Sequence, residues 1–339
     1  MSYQIFKALE KKFLQKLFQE KSSIYFPSLQ NKKIQNIEIE RISPIWAKES
    51  CLSKYKIFFE KEKIRIIRGT AKKNRSKKEV WKIMNYLYHQ GFKENGLAIA
   101  RPIDFLEKIN LLLYREVPGR PFSSIIEKGN YSQIEKNLKK IARWLIKLHK
   151  LRFQENKFKK APFLGLKGYL KIFKKIKKFM PDLKDDLNSL PSLSFVEQIW
   201  QKKKILIHND FYPGNIIVDQ NVIYGVDFDR AGLGPPLMDI ATICGSLEFP
   251  REIWELNLSK KEISDLQEIF FQTYCQLRKI SYQKNKKLLQ LFLAKIFLDQ
   301  IHYYSAFAIR GWNFVDKETQ RGFSFKIKSL ILKVKKYLP

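Results

Sequence analysis

Little in this chain of 339 residues suits sulfur-based cross-linking or metal capture. Its three cysteines, Cys51, Cys244 and Cys275, stand far apart, which excludes a paired-cysteine metal signature and a disulfide framework. Such usage fits a reducing compartment, and a cytoplasmic location is expected. Long apolar runs are also missing. The most apolar late stretch, LLQLFLAKIFLDQIHYY, is broken by Lys295 and Asp299, so it reads as a buried helix and not as a membrane span. The N-terminal MSYQIFKALEKKFLQKLFQEK has no uninterrupted apolar core of the kind an export signal carries. No internal repeat or low-complexity linker appears. Acidic residues are scarce: 33 Asp and Glu face 65 Lys and Arg, a net charge of +32. That excess allows nucleotides, nucleic acid or a membrane surface as anionic partners. The lysines are nevertheless spread along the chain, in KALEKKFLQK, AKKNRSKK, KIFKKIKKF and ILKVKKYL, which reads as a solvated basic surface. Nucleic acid is therefore the disfavoured partner, while peripheral contact with a membrane stays open.

What the chain does have is a globular composition. Hydrophobic residues make up 45%, with 26 Phe and 15 Tyr, enough for a sizeable core in one two-lobed unit or two domains. Residues 1–33 read as an N-terminal helical extension. Phe6, Leu9, Phe13, Leu14, Leu17 and Phe18 recur near helical spacing with lysines between, the pattern of a helix docked on its own domain or lying on a membrane. From 34 to 117 the pattern is strand-rich. IQNIEIERI, SKYKIFF and KIRIIRG alternate apolar and polar residues, SKKEVWKIMNYLYHQGF is helical, and RPIDFLEKINLLLYREV supplies two more strands. The run REVPGRPFSS breaks that pattern and reads as a hinge. From 118 to 339 helices dominate. The expectation is an α+β chain with a small antiparallel-sheet N-lobe, a larger mostly helical C-lobe, and a ligand-binding cleft between them.

One stretch of the second half is out of character with its surroundings. LIHNDFYPGNIIVDQNVIYGVDFDRAG, residues 206 to 232, places groups that are costly to bury inside a strand-like region. KKKILIHNDF reads as a strand entering a polar turn, and NIIVDQNVIYGVDF as two strands around Asp219-Gln220-Asn221. Such a hairpin brings Asp210 and Asn215 close to Asp227. An amide and an acid offer hard oxygen ligands to magnesium, which takes one or two carboxylates plus substrate phosphates. A further acid is then free to accept the proton of an attacking hydroxyl, the division of labour that phosphoryl transfer requires.

The series HNDFYPGN, GVDFDRAG, MDIA resembles the signature of the aminoglycoside phosphotransferase and choline kinase superfamily, whose fold is that of protein kinases. RIIRG is similar to the family's third strand, KKEVWKIMNYL to the helix that follows, LLLYREVPGRPF to the hinge, and IARWLIKLHKL to the helix ending in Leu-His. The elements occur in the family's order from about residue 34 to 250. The resemblance implies a protein-kinase-like two-lobed fold and an ATP-dependent small-molecule kinase, with GTP as the alternative donor and Mg²⁺ as cofactor. It implies Asp210 as catalytic base and Asn215 and Asp227 as metal ligands, with Asp229 either a second metal contact or a solvated acid. It implies Glu79 as the partner of a basic residue that contacts phosphate. Strand alternation gives that residue as Arg68, with Ile66 beneath the adenine and Arg65 on the other face. Glu116 in the hinge completes the nucleotide set. The stretch ISPIWAKESCLSKYK contains no glycine, so backbone amides with Ser50 or Ser53 are expected to cover the phosphates. His208 reads as a residue that holds the loop, His149 as a satisfied helix histidine near it, and Asp239 as a helix N-cap or a brace for the loop. The acceptor is a hydroxyl of an amino alcohol, sugar, aminoglycoside-like compound or lipid-linked saccharide. The rival readings are a catalytically dead nucleotide-binding module and, on charge alone, a nucleic-acid-associated protein.

Overall fold

A computed structural model describes residues 4–29, 32–44, 48–61, 63–73, 76–93, 96–152, 157–201, 204–248 and 258–338. Contacts divide the chain into two units: Met1–Gly119 with Ile217–Asp229, and Arg120–Ile216 with Arg230–Pro339.

The first unit is built on a five-stranded antiparallel sheet. Its strands are β1 (Ile34–Arg41), β2 (Ser50–Phe59), β3 (Lys63–Lys72), β5 (Pro102–Leu106) and β6 (Leu111–Arg115), in the order β1-β2-β3-β6-β5. The alternation read from the sequence is present. On β2, Cys51, Ser53, Tyr55, Ile57 and Phe59 are buried, and on β3 so are Ile67, Gly69 and Ala71, while Arg68 and Lys72 point to the opposite face. The helix α1 (Lys11–Glu20) lays Leu14 and Phe18 into the same core as Tyr55 and Phe59. The Tyr55 hydroxyl donates to the Ala8 carbonyl at 2.9 Å. After α1, the helical turn α2 (Ser22–Tyr25) contributes Tyr25, whose hydroxyl shares Asp104 Oδ2 with Lys21, each at 2.5 Å. Of the two readings of this amphipathic N-terminus, docking on its own sheet is the one found. The helix α3 (Lys78–His89) follows β3, and the short β4 (Leu97–Ile99) pairs in parallel with Val222–Gly225 of a later hairpin. That pairing assigns residues 217–229 to the first unit, which a linear boundary at 118 cannot express. Gly119 is required where the hinge passes this hairpin: its φ is +98°, and a Cβ there would lie 2.4 Å from the Val218 carbonyl.

The second unit is mainly helical: α4 (Phe122–Glu127), α5 (Tyr131–His149), α6 (Leu166–Phe179), α7 (Lys184–Asn188), α8 (Phe195–Trp200), α9 (Leu237–Glu248), α10 (Lys260–Arg278), α11 (Tyr282–Gly311) and α12 (Lys317–Tyr337). Asn130 caps α5 by accepting from the Gln133 amide, and Ser259 with Glu262 forms a reciprocal capping box on α10. The α5 stripe Ile134, Leu138, Ile141, Trp144, Leu145 and Leu148 is buried, as 3.6-residue periodicity requires. Lys295 and Asp299, which interrupt the apolar run in α11, pair with each other at 2.7 Å, and Asp299 also accepts from the Tyr169 hydroxyl. Among the described residues no helix is long and apolar enough to cross a membrane. All three cysteines are free and buried.

Candidate active site

The loop of the second unit is built from its backbone outward. The strand Ile205–Ile207 pairs antiparallel with Gly232–Gly234 and delivers His208, Asn209 and Asp210 at its end. Asn209 sits at φ +58°, a left-handed conformation that Asn tolerates better than most side chains. Its amide nitrogen Nδ2 donates to the carbonyls of Pro162 (2.9 Å) and Arg230 (3.3 Å). The fully buried Asp239, in the first turn of α9, accepts the backbone N–H of His208 (2.9 Å) and of Asn209 (2.7 Å). It also accepts from His149 Nε2 at 3.0 Å, so the ring's Nδ1 is left to accept the Tyr274 hydroxyl at 2.8 Å. Burial pushes the Tyr274 phenol up, which keeps it a donor. Of the two roles open to Asp239, bracing the loop is the one found, and His149 adds to it through its contact with Asp239. Phe211 stacks on Trp144 of α5 at 4.7 Å, and His208 lies edge-on to the same indole.

Within this frame Asp210 and Asn215 meet. Asn215 Nδ2 donates to the Asp210 carbonyl at 2.9 Å and to its carboxylate at 3.3 Å. This orients the carboxylate and leaves Asn215 Oδ1 available as a hard oxygen donor.

One face of the first unit's sheet gathers charged residues, Arg68 and Glu116 of the expected nucleotide set among them. Lys54, Arg68 and Tyr114 are register neighbours across β2, β3 and β6. Glu116 accepts from Arg68 at 2.5 Å and pairs with Lys54 at 3.4 Å. The expected Arg68–Glu79 pair is thus corrected. Arg68 turns to Glu116, at the exit of the neighbouring strand, and Glu79 in the first turn of α3 pairs with Lys82 at 3.1 Å. Ser53 is corrected as well. It lies inside β2 on the buried face, its hydroxyl 3.2 Å from Cys51 Sγ, so it cannot reach a phosphate. Ser50 opens β2 opposite Lys72 and is half-buried. Ile66 and Glu116 line a cavity of about 300 Å³ with Val117 and Pro118.

Asp227 stands exposed at φ +61°, a left-handed setting that Asp, like Asn, adopts more readily than most residues. Asp229 is held differently. Both Lys72 and Lys77 bridge its carboxylate, and Lys77 is itself buried. Burial pushes the Asp229 carboxyl up, but Lys77 and Lys72 outweigh it and hold the group below its usual range. Burial also pushes Lys77 down despite Asp229. Asn110 fixes both lysines: its Oδ1 accepts the Lys77 amide at 2.7 Å, and its Nδ2 donates to the Lys72 carbonyl at 2.5 Å. The sequence reading missed Lys72 and Lys77. Strand alternation places Lys72 on the Arg68 face and would have found it, whereas Lys77 follows only from the turn after β3. Among the described residues no three His, Cys, Asp or Glu side chains converge, so a metal here would need phosphate or water ligands, as magnesium does. Asn215 Oδ1 in the second unit and the exposed Asp227 in the first each offer a hard oxygen of that kind, whereas Lys72 and Lys77 already neutralise Asp229.

Among curated proteins no match to the chain was found. Solved structures are similar over nearly the whole length. An amicoumacin kinase in complex with AMP-PNP and Ca²⁺ has a TM-score of 0.59 at 16% identity, covering 94% of this chain and 93% of that one. A choline kinase of Cryptosporidium parvum gives 0.59 at 14%, covering 96% and 95%. An ethanolamine kinase of Plasmodium vivax gives 0.58 at 14%, covering 96% and 90%. At such identities the likeness concerns the fold, and that fold is the expected protein-kinase-like, two-lobed α+β one. The sequence carries the family itself: residues 65–276 match the phosphotransferase enzyme family, APH, and with more than half of its length matched the chain belongs to that family.

Proposed function

We propose that the chain transfers the γ-phosphoryl group of ATP to a hydroxyl of a small molecule, with Mg²⁺ as cofactor and GTP as the alternative donor. The observation that carries this reading is the Asp210–Asn215 contact on a loop anchored by buried Asp239. A carboxylate so oriented can accept the proton of an attacking hydroxyl. Asn215 Oδ1 and Asp227 would hold the metal, which when bound neutralises phosphate oxygens. Arg68, released from Glu116, offers a planar clamp for phosphate. Ile66 would contact the base, and Glu116 would set the polarity of the hinge. Ser50 remains a candidate phosphate contact through its exposed edge. The basic composition of residues 154–204 makes a neutral or anionic acceptor, such as a sugar or a lipid-linked saccharide, at least as fitting as a cationic amino alcohol or aminoglycoside. Incubating purified protein with Mg-ATP and panels of these four classes, with phosphorus NMR as readout, tests the reading. Acceptor-dependent ADP formation that Asp210→Asn loses supports it, and transfer that survives the change sinks it.

A second reading has its own observation. Protein acids answer Arg68, Lys54, Lys72 and Lys77 alike, so incoming phosphate must displace ion pairs. A nucleotide-binding module without turnover would give calorimetric Mg-ATP binding and no ADP with any acceptor.

A further inference from the structure

The four most exposed Phe and Tyr side chains among the described residues lie within 23 positions of one another. They are Tyr303 (67%), Phe307 (65%), Phe314 (90%) and Phe325 (71%), on the end of α11, the turn after it, and α12. None belongs to the site described above. The helix α12 carries two stripes. Ile327, Leu330, Ile331 and Val334 are buried, while Arg321, Phe325, Lys328 and Leu332, spaced four, three and four apart, face outward. Leu332 is 55% exposed. A surface helix gains nothing from Phe and Leu on its watered stripe, and clustered exposed apolar groups mark a contact surface.

Charge decides what that surface contacts. From Tyr303 to Lys328 the chain carries Arg310, Lys317, Arg321, Lys326 and Lys328 against Asp316 and Glu318. Asp316 is committed to capping α12, accepting from the Thr319 amide at 2.7 Å, and Lys328 pairs with Asp186 at 3.5 Å. Lys317 and Arg321 have no acidic partner among the described residues. Both line a groove of about 690 Å³ with Phe325, Trp312, Phe179 and a single acid, Asp182. Aromatics beside unneutralised cations are the composition of elements that lie in a lipid interface, where rings enter the acyl boundary and cations meet headgroups.

We propose that the α11–α12 hairpin docks this protein on an anionic lipid surface, with Phe314 and Phe325 entering the interface and Lys317 and Arg321 on the headgroups. The proposal does not depend on the acceptor or on activity. It is tested by co-sedimentation of the full chain with vesicles of phosphatidylcholine, with and without phosphatidylglycerol. Binding is expected only with phosphatidylglycerol. Reversing two cations, Lys317→Glu with Arg321→Glu, should weaken it about thirtyfold or more, at a contribution of about 1 kcal/mol per basic residue near an anionic surface. Phe314→Ser with Phe325→Ser should weaken it several-fold while leaving net charge unchanged. The control Lys171→Glu with Lys174→Glu removes equal charge from the exposed side of α6 and should retain most of the binding. All these side chains are exposed, so folding is not at stake, and circular dichroism confirms it. Equal loss in the control, indifference to both Phe changes, absence of vesicle binding, or a dimer that Phe314→Ser dissociates would each overturn the proposal.

Discussion

The second unit's loop and the first unit's charged face hold their polar groups by opposite means. Around Asp210 the organising group is one buried carboxylate, Asp239, that satisfies two backbone N–H groups and a histidine. On the sheet of the first unit, side-chain ion pairs do the holding: Glu116 with Arg68 and Lys54, and Asp229 with Lys72 and Lys77. A carboxylate that anchors backbone cannot be given up without moving the loop. A carboxylate that neutralises lysines can exchange them for another ion. The first arrangement suits a group whose position must not change during a reaction, and the second suits a surface that takes up and releases a charged ligand.

The largest effect expected is on chemistry. Asp210→Asn should lower turnover by roughly two to four powers of ten with nucleotide binding retained, measured by steady-state kinetics with a confirmed acceptor. Near-native turnover would remove Asp210 from its role.

Next comes stability, where the two carboxylate types should separate. Asp239→Ala leaves two backbone donors and His149 without their acceptor in a dry site, and should cost on the order of 3 kcal/mol in urea denaturation. Glu116→Ala, at a part-exposed pair, should cost less than about 1 kcal/mol. Equal losses would erase the distinction.

A smaller effect tests which acid Arg68 answers. In a double-mutant cycle on the ATP Michaelis constant, Arg68→Ala and Glu116→Ala should couple by roughly 1 kcal/mol, whereas Arg68→Ala and Glu79→Ala should add independently. Coupling to Glu79 would restore the arrangement first expected from the sequence.

The smallest effect concerns the N-terminal helices. Burial raises the Asp104 carboxyl, but its bonds to Lys21 and Tyr25 hold it below the usual carboxylate value. A folded-state value below the unfolded one stabilises above the unfolded value and loses that contribution as pH falls through the folded one. Thermal melts should therefore show the wild type losing stability below about pH 4 more steeply than Asp104→Asn.

Asp210, Asn215 and Asp227 could be picked out as candidates because they are local. They lie within eighteen residues, and a turn-rich motif in an apolar setting needs a reason that backbone preference alone does not supply. The alternation of β2 and β3 was equally legible, and it placed Arg68 on the correct face. The same alternation puts Ser53 indoors, but reading its neighbourhood as a loop concealed this, since β2 begins at Ser50.

By itself the sequence determined the elements, the order of strands and helices, and the contiguous polar loop, because each follows from periodicity and turn chemistry within a short span. Tertiary structure alone decided the partners. That Arg68 answers Glu116, that Asn110 fixes Lys72 and Lys77 on Asp229, and that Asp239 closes on His208 and Asn209 depends on pairs 30 or more residues apart. Charge–charge and hydrogen-bond energies fall off with distance in space and carry no trace in sequence separation, so only the packed chain selects among the many cations and acids available.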